Sequence, residues 1–280
     1  MVLGHQVVGL VEKLGSRATK FKVSNRVSVA WIFSTCGKCK FCLEGNENLC
    51  DDFMATGKDV NGGYAEYMTV PEKYAQVIPD YFTNVEAAPL LCAGAIGYRA
   101  IQLAQINNGD RLGLTGFGAS AHLVLKMVRF RYPNTKVFVF ARKMEERQFA
   151  KELGAFWVDD TTDCSPELDA IIDTTPAWKP IVEALGNLQR GGRLVINAIR
   201  KEKNDINHLQ NLSYQDHLWM EKEIKSVANV TGKDVSEFLV LAAKAKIRPN
   251  FQVYPLEEAN KALLELKEQH VRGAKVLQIQ

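Results

Sequence analysis

The chain has 280 residues, 46% of them hydrophobic and 24% charged, with a formal net charge of +3. That length allows about two domains with substantial cores, and the balanced charge, without a dense Lys/Arg run, gives no reason to expect nucleic acid or a membrane surface as a partner. No apolar stretch reaches the ~20 residues of a bilayer span, and Met1-Val-Leu-Gly-His5 lacks the basic and apolar regions of an export signal, so a cytoplasmic address is expected.

In chain order, the first ninety residues read as short β segments, among them 7–11 and 26–30, broken by turn-rich stretches such as Asn61-Gly-Gly63. Within them lies Cys36-Gly-Lys-Cys39-Lys-Phe-Cys42 followed by Cys50, a C-x2-C-x2-C-x7-C spacing. Four thiolates so close in sequence can converge on one tetrahedral zinc ion and leave no open position, which makes such a site structural. A pair of disulfides is the other reading, and the absence of an export signal favours the metal.

After Pro89 the pattern changes. A helix is expected over 95–105, then a buried strand over 111–115 running into Gly116-Phe-Gly118 and a helix over 119–131. A strand over 136–140, a helix over 145–153 stopped by Gly154, and a strand over 170–173 follow. A helix over 179–188 and, after Gly191-Gly192, a strand over 193–198 complete the series. Such βαβ succession implies a parallel sheet covered on both faces, with ligands at the carboxyl ends of its strands. The last fifty residues carry a strand over 224–230, helices over 235–245 and 256–269 and a strand over 275–279, and are expected to rejoin the β-rich part. The domains expected are therefore 1–93, 94–231 and a returning segment 232–280.

Gly116-Phe-Gly118-Ala-Ser-Ala121 is a G-x-G-x-x-A variant placed between a strand and a helix, where it would bring a dinucleotide pyrophosphate to the helix N-terminus. A glycine turn that serves only packing is the alternative. The second strand of the unit ends in Phe140-Ala141-Arg142, without the acidic residue that would hydrogen-bond a ribose 2′-hydroxyl. With Arg142, Lys143 and Arg147 beside Ala141, a 2′-phosphate would find partners, so NADP is expected over NAD; a merely solvated helix start is the competing reading. Lys201-Glu-Lys203 reads as a solvated loop near the cleft mouth, with contact to the cofactor as the other reading, and His122 as packing or capping support.

The chain resembles the zinc-dependent medium-chain alcohol dehydrogenases. Gly4-His5-Gln6-Val7-Val8-Gly9 is similar to their G-H-E-x-x-G, the four cysteines to their structural zinc lobe, and Gly62-Gly63-Tyr64-Ala65-Glu66-Tyr67 to the segment closing it. Pro89-Leu-Leu-Cys92-Ala-Gly94, Gly97-Tyr-Arg-Ala100 and Arg272-Gly-Ala-Lys275 also match. The resemblance implies an α/β protein with a Rossmann doubly wound sheet, a GroES-like β domain shaped as a partial barrel, and an active site in the cleft between them. It also implies that His5 and Cys92 ligate a catalytic zinc with Gln6 beside it, that Arg272 lies near the coenzyme phosphates, that the substrate is a small alcohol or aldehyde, and that chains pair as dimers or tetramers. Relatives carry further strands ahead of the first residue here, holding another cysteine ligand and a Ser/Thr proton relay, so a longer native chain is expected, with a genuine short form as the alternative. Gln6 replaces a carboxylate, and Ser24-Asn25-Arg26 replaces a Gly-Asp-Arg turn, with Asn25 tolerating left-handed backbone. The activity expected is NADP-preferring alcohol oxidation, and the alternative is a truncated, catalytically impaired nucleotide-binding homologue stabilised by zinc.

Overall fold

The computed structural model describes residues 1–160, 167–268 and 273–279. It divides into one compact unit of Met1–Ala95 with Ala228–Gln280 and a second of Ile96–Val227.

The first unit is β-rich. β1 (Val7–Leu10) pairs antiparallel with β2 (Arg26–Val29), which pairs with β5 (Ala75–Val77) into a three-stranded sheet, while β3 (Ile32–Ser34) pairs with β4 (Met54–Ala55). Later in the chain β12 (Phe251–Pro255) and β13 (Ala274–Gln278) form a parallel pair. Phe21, Val27 and Ala75 are the buried centre under the larger sheet. β1 is an edge strand with Leu10 65% exposed, and Val77 on the opposite edge is 66% exposed, so both edges of this sheet carry open apolar surface. The turn into β2 forms with Ser24, not Asn25, in left-handed backbone at φ +68°; Asn25 instead uses its side-chain oxygen to accept the Lys22 N–H at 2.9 Å. Helices α1 (Lys40–Leu43), α2 (Asn84–Pro89), α7 (Gly232–Lys244) and α8 (Ala259–Lys267) complete the unit.

The second unit is a six-stranded parallel sheet. Its strands are β6 (Arg111–Thr115), β7 (Lys136–Phe140), β8 (Trp157–Asp159), β9 (Leu168–Asp173), β10 (Leu188–Ile196) and β11 (Glu223–Ser226), in the order β11-β10-β9-β6-β7-β8. This doubly wound order reverses between β6 and β9, the place where ligands bind in open α/β sheets. Helix α3 (Ala95–Ala104) leads into β6, and α4 (Ala121–Arg131), α5 (Met144–Glu152) and α6 (Lys179–Gly186) link strands of the sheet. Phe138, Phe140, Leu168, Ile171, Leu188 and Leu194 of the sheet pack with Ile181, Ala184 and Leu185 of α6, all buried. β10 begins earlier than the sequence pattern suggests, because the strand runs through Gly191-Gly192 with a shift of register between Leu188 and Arg193.

The helix expected from residue 95 starts eleven residues sooner. Thr83 and Glu86 form a reciprocal capping box, α2 follows, a π turn spans Leu90–Gly94, and α3 continues without a break. The run Asn84–Ala104 is 21 residues, long and apolar enough to cross a membrane, contrary to the expectation of no such stretch. Its most apolar window is 67% buried inside the protein, which makes it a core helix.

Asn61-Gly-Gly63 is a close-packing device as well as a turn. The N–H groups of Gly62, Gly63 and Tyr64 donate to Val2, Gly4 and Leu3 carbonyls at 2.8, 3.0 and 2.9 Å, binding this segment alongside the one that presents His5. A Cβ on Gly62 would collide with the Gly4 carbonyl oxygen and lie 2.7 Å from that of Leu3. Gly62→Ala is therefore expected to cost about 1–3 kcal/mol and lower the thermal midpoint by several degrees. Gly15→Ala, where a Cβ would meet nothing within 4 Å, serves as the control; equal midpoints for the two variants would refute the close approach.

Candidate metal centres and coenzyme site

The four cysteines meet. Cys36 follows β3, Cys39 and Cys42 flank and occupy the single turn of α1, and Cys50 ends a 3-10 turn at Glu47–Leu49. Their sulfurs all lie within 4.8 Å of one another, and Cys36 Sγ is 3.9 Å from Cys42 Sγ. A tetrahedron with metal–sulfur bonds of about 2.3 Å needs sulfur separations of about 3.8 Å, so the donor set fits zinc. The lobe also prepares the charged form. Lys38 and Cys39 N–H groups donate to Cys36 Sγ at 3.5 and 3.3 Å, and they pull its pKa down to about 6. Cys42 is lowered as well, first by the Thr35 hydroxyl 3.4 Å away. For Cys39 the Cys42 N–H acts in the same direction, but burial and the neighbouring thiols outweigh it and push the group up to about 11. Cys36 and Cys42 are thus biased toward thiolate and Cys39 against it, and a bound dication would favour the ionised form of all of them.

His5 follows Gly4, whose φ is +95°, and stands edge-on to Trp31 with ring centroids 4.9 Å apart. Its Nε2 is buried and has no hydrogen-bond partner among the described residues, and burial lowers its pKa, leaving a neutral imidazole. An unsatisfied buried ring nitrogen needs an explanation, and a metal is one that suits the neutral form. Cys92 sits on the π turn, a local helix distortion that recurs at functional sites. Burial pushes its thiol up to about 11; a cation is what would deprotonate such a sulfur. Gln6 is exposed.

The base of that helix is braced by groups the sequence reading passed over. Glu86 Oε2 accepts the Thr83 N–H and hydroxyl, both at 2.9 Å, and Arg248 Nη1 donates to Glu86 Oε1 at 2.5 Å. The Thr83 N–H first, with Arg248 also contributing, holds this carboxyl below its usual range. Gly94 has no room for a Cβ because the Phe238 ring of α7 lies against it. The Thr83-x-x-Glu86 spacing is the signal that could have revealed this start.

In the second unit Gly116, Gly118 and Ala121 share one turn. Gly116 has φ +75°, donates its N–H to the Phe140 carbonyl at 2.8 Å, and would put a Cβ 2.9 Å from Thr175 Cγ2. Gly118 faces open space, and Ala121 is fully buried at the start of α4. One glycine is required for conformation, the next leaves an open backbone, and the alanine packs the helix, as a phosphate cradle requires. His122 is buried with Nδ1 3.0 Å from the Gly118 carbonyl, and burial lowers its pKa to about 4, so it supports the turn as a neutral ring.

Beside Ala141 the basic residues behave differently from one another. Arg147 Nε donates to the Ala141 carbonyl at 2.5 Å, its Nη1 to Asp159 at 2.9 Å, and its Nη2 lies 3.8 Å from Asp160. It ties β7 to β8 and its charge is already balanced. Arg142 is exposed and makes no hydrogen bond or ion pair among the described residues. Arg272 lies outside the described residues. Lys201 corrects the expectation of a solvated loop: its side chain is 10% exposed, and Nζ donates to Asp173 Oδ2 at 2.5 Å and to the Thr175 and Ala177 carbonyls at 2.7 and 3.1 Å.

Comparison with known proteins agrees with both halves. Residues 1–80 match the alcohol dehydrogenase GroES-like domain. The chain is 39% identical over 285 residues to the probable alcohol dehydrogenase AdhA of Mycobacterium tuberculosis, covering all of this chain and 80% of that one. Among solved structures, the cinnamyl alcohol dehydrogenase of Sorghum bicolor superposes with a TM-score of 0.85 at 26% identity, covering 99% of this chain and 81% of the other. A CAD from Helicobacter pylori, solved with NADP(H), shares the fold at a TM-score of 0.84 and 23% identity, over 99% of this chain and 81% of its own. With a four-thiol zinc lobe in a GroES-like unit and a Rossmann sheet of doubly wound order, the chain belongs to the medium-chain alcohol dehydrogenase family.

Proposed function

We propose that the protein is a zinc-dependent, NADP-preferring oxidoreductase that interconverts a primary or secondary alcohol with its aldehyde or ketone. The observation that carries the reading is the buried, unpartnered Nε2 of His5 in the family's Gly-His motif. His5 and Cys92 are assigned as ligands of a catalytic zinc, and Cys36, Cys39, Cys42 and Cys50 as those of a structural one. A zinc ion with an open position, when bound, polarises a substrate oxygen as a Lewis acid. The nicotinamide cofactor, when bound, supplies the hydride chemistry. The chain's own part is positioning. The Gly62-Gly63 segment fixes the backbone before His5, the capped helix presents Cys92, and the open Gly118 backbone with the α4 N-terminus receives the pyrophosphate. Arg142, exposed and uncompensated, is assigned to the 2′-phosphate. β11, an edge strand exposed along its length with Ile224 44% exposed, is assigned as the strand through which two copies pair.

Zinc content tests the metal assignment. Two ions per chain are expected, falling to one in His5→Ala or Cys92→Ser with the thermal midpoint little changed. A single ion in the unaltered protein, together with retained NADPH binding and no turnover, would favour the impaired nucleotide-binding homologue. The cofactor assignment is read from kcat/KM with each dinucleotide. Arg142→Ala should cut the NADP-to-NAD ratio by about tenfold, equivalent to about 1.4 kcal/mol, and a clear NAD preference before substitution would overturn it. Sedimentation should give a dimer or tetramer, and Ile224→Lys should shift it toward the 31.3 kDa chain; a monomer at the start removes the pairing assignment.

A further inference from the structure

Among the described residues of the second unit Asp173 is a fully buried charge, at the carboxyl end of β9 where the strand order reverses. Its Oδ1 accepts the Thr115 hydroxyl at 2.6 Å, the Thr175 hydroxyl at 2.7 Å and the Thr175 N–H at 3.3 Å. Its Oδ2 takes Lys201 Nζ. Thr115 is the last residue of β6, and Gly116, directly after it, lies against Thr174 and Thr175. The carboxylate thus joins three pieces of backbone: the end of the strand that enters the glycine turn, the 174–177 segment that walls the turn, and the segment after β10 that carries Lys201.

That last segment is held along its length. The Glu202 N–H donates to the Pro176 carbonyl at 2.8 Å, and Asp205 Oδ2 accepts the Trp178 and Lys179 N–H groups at 2.7 and 3.0 Å. A separate strut runs from Asn197 Nδ2 to Ser120 Oγ at 2.9 Å, from the end of β10 to the glycine turn. A charge pair buried this deeply is weak evidence for stability, since an apolar pair can serve as well, and is better explained by the geometry it imposes.

We propose that Asp173 and Lys201 act together as positioning residues for the dinucleotide, setting the glycine turn and the segment after β10 in the arrangement that receives the pyrophosphate. Lys201 does so through Asp173, with no phosphate contact of its own, because every proton on its ammonium already has an acceptor. The inference rests on the dinucleotide-binding reading above.

The test uses the full chain and NADPH fluorescence titration. Asp173→Asn and Lys201→Met should each raise Kd roughly tenfold, and the double variant should be no worse than either, since both substitutions release one unit. At saturating cofactor kcat should stay within about twofold of the unaltered protein. The double variant leaves no lone buried charge and carries the test should the single ones fail to fold; Thr175→Val, which keeps the pair and removes one hydrogen bond to Asp173, should give a smaller rise in Kd. A direct phosphate contact by Lys201 would appear as tighter binding in Asp173→Asn, which frees the ammonium, and would overturn the proposal. So would lower thermal midpoints with unchanged Kd. If the unaltered chain binds neither NADPH nor NADH, the failure belongs to the dinucleotide reading itself.

Discussion

The reversal of strand order between β6 and β9 is the constraint on which the coenzyme half depends. Helices leaving neighbouring parallel strands go to opposite faces there, so the carboxyl ends of the two strands are left uncovered. The opening is lined by backbone and short polar side chains: Gly116 in a conformation that favours glycine, Thr174 and Thr175 opposite, and Asp173 underneath. Such a place is polar by necessity, because strand ends release backbone groups from the ladder. The chain meets that requirement with hydroxyls and one carboxylate, and the Thr174 N–H and hydroxyl both reach the Thr115 carbonyl, at 3.0 and 2.9 Å.

The metal half answers a different constraint. Thiols and imidazoles bind zinc as thiolate and neutral ring, so each donor must be biased toward that form before the metal arrives or be converted by it. The thiol lobe uses both routes, with Cys36 brought down by backbone N–H groups and Cys39 left for the cation to ionise. His5, the proposed ligand, is biased by burial, which disfavours the imidazolium, and its Nε2 has no partner among the described residues. Close backbone packing enforces this. Gly57 would place a Cβ 2.7 Å from the Gly4 carbonyl oxygen, and Gly62 has no room there at all, so small residues surround the segment that aims the histidine.

Much of this was legible in the sequence for identifiable reasons. β6 and β7 lie at the residues their apolar runs indicate, because strands buried on both faces leave no polar alternation to confuse the pattern. The cysteine lobe was legible because local spacing alone brings its sulfurs together. What failed depended on partners far along the chain. Lys201-Glu-Lys203 has the composition of a solvated loop, and nothing local reveals that Lys201 finds Asp173 twenty-eight residues earlier. Pro89 and Gly191-Gly192 misled as punctuation: the proline is carried inside a helix capped six residues before it, and the glycines sit within β10, Gly191 at φ +69° and Gly192 where a Cβ would lie 2.9 Å from the Gln189 carbonyl. In each case tertiary packing overrode a local signal that is sound on average.

The same distinction bears on the basic residues proposed to receive a 2′-phosphate. Counting Arg142, Lys143 and Arg147 as three equal cations overstates the field near Ala141, since Asp159 and Asp160 lie on the neighbouring strand end and Arg147 is turned toward them. Glu145 and Glu146 in the first turn of α5 add two further carboxylates, so no net positive excess remains there, and what sets Arg142 and Lys143 apart is their exposure at the start of α5. Exposed charges act through solvent and are screened by salt, whereas Arg147, at 20% side-chain exposure, holds the ends of β7 and β8 at a fixed spacing. The paired arginine therefore fixes the strand ends, and Arg142 and Lys143 are the exposed cations beside them. A basic residue is available to a ligand only when the fold has not already given it a carboxylate.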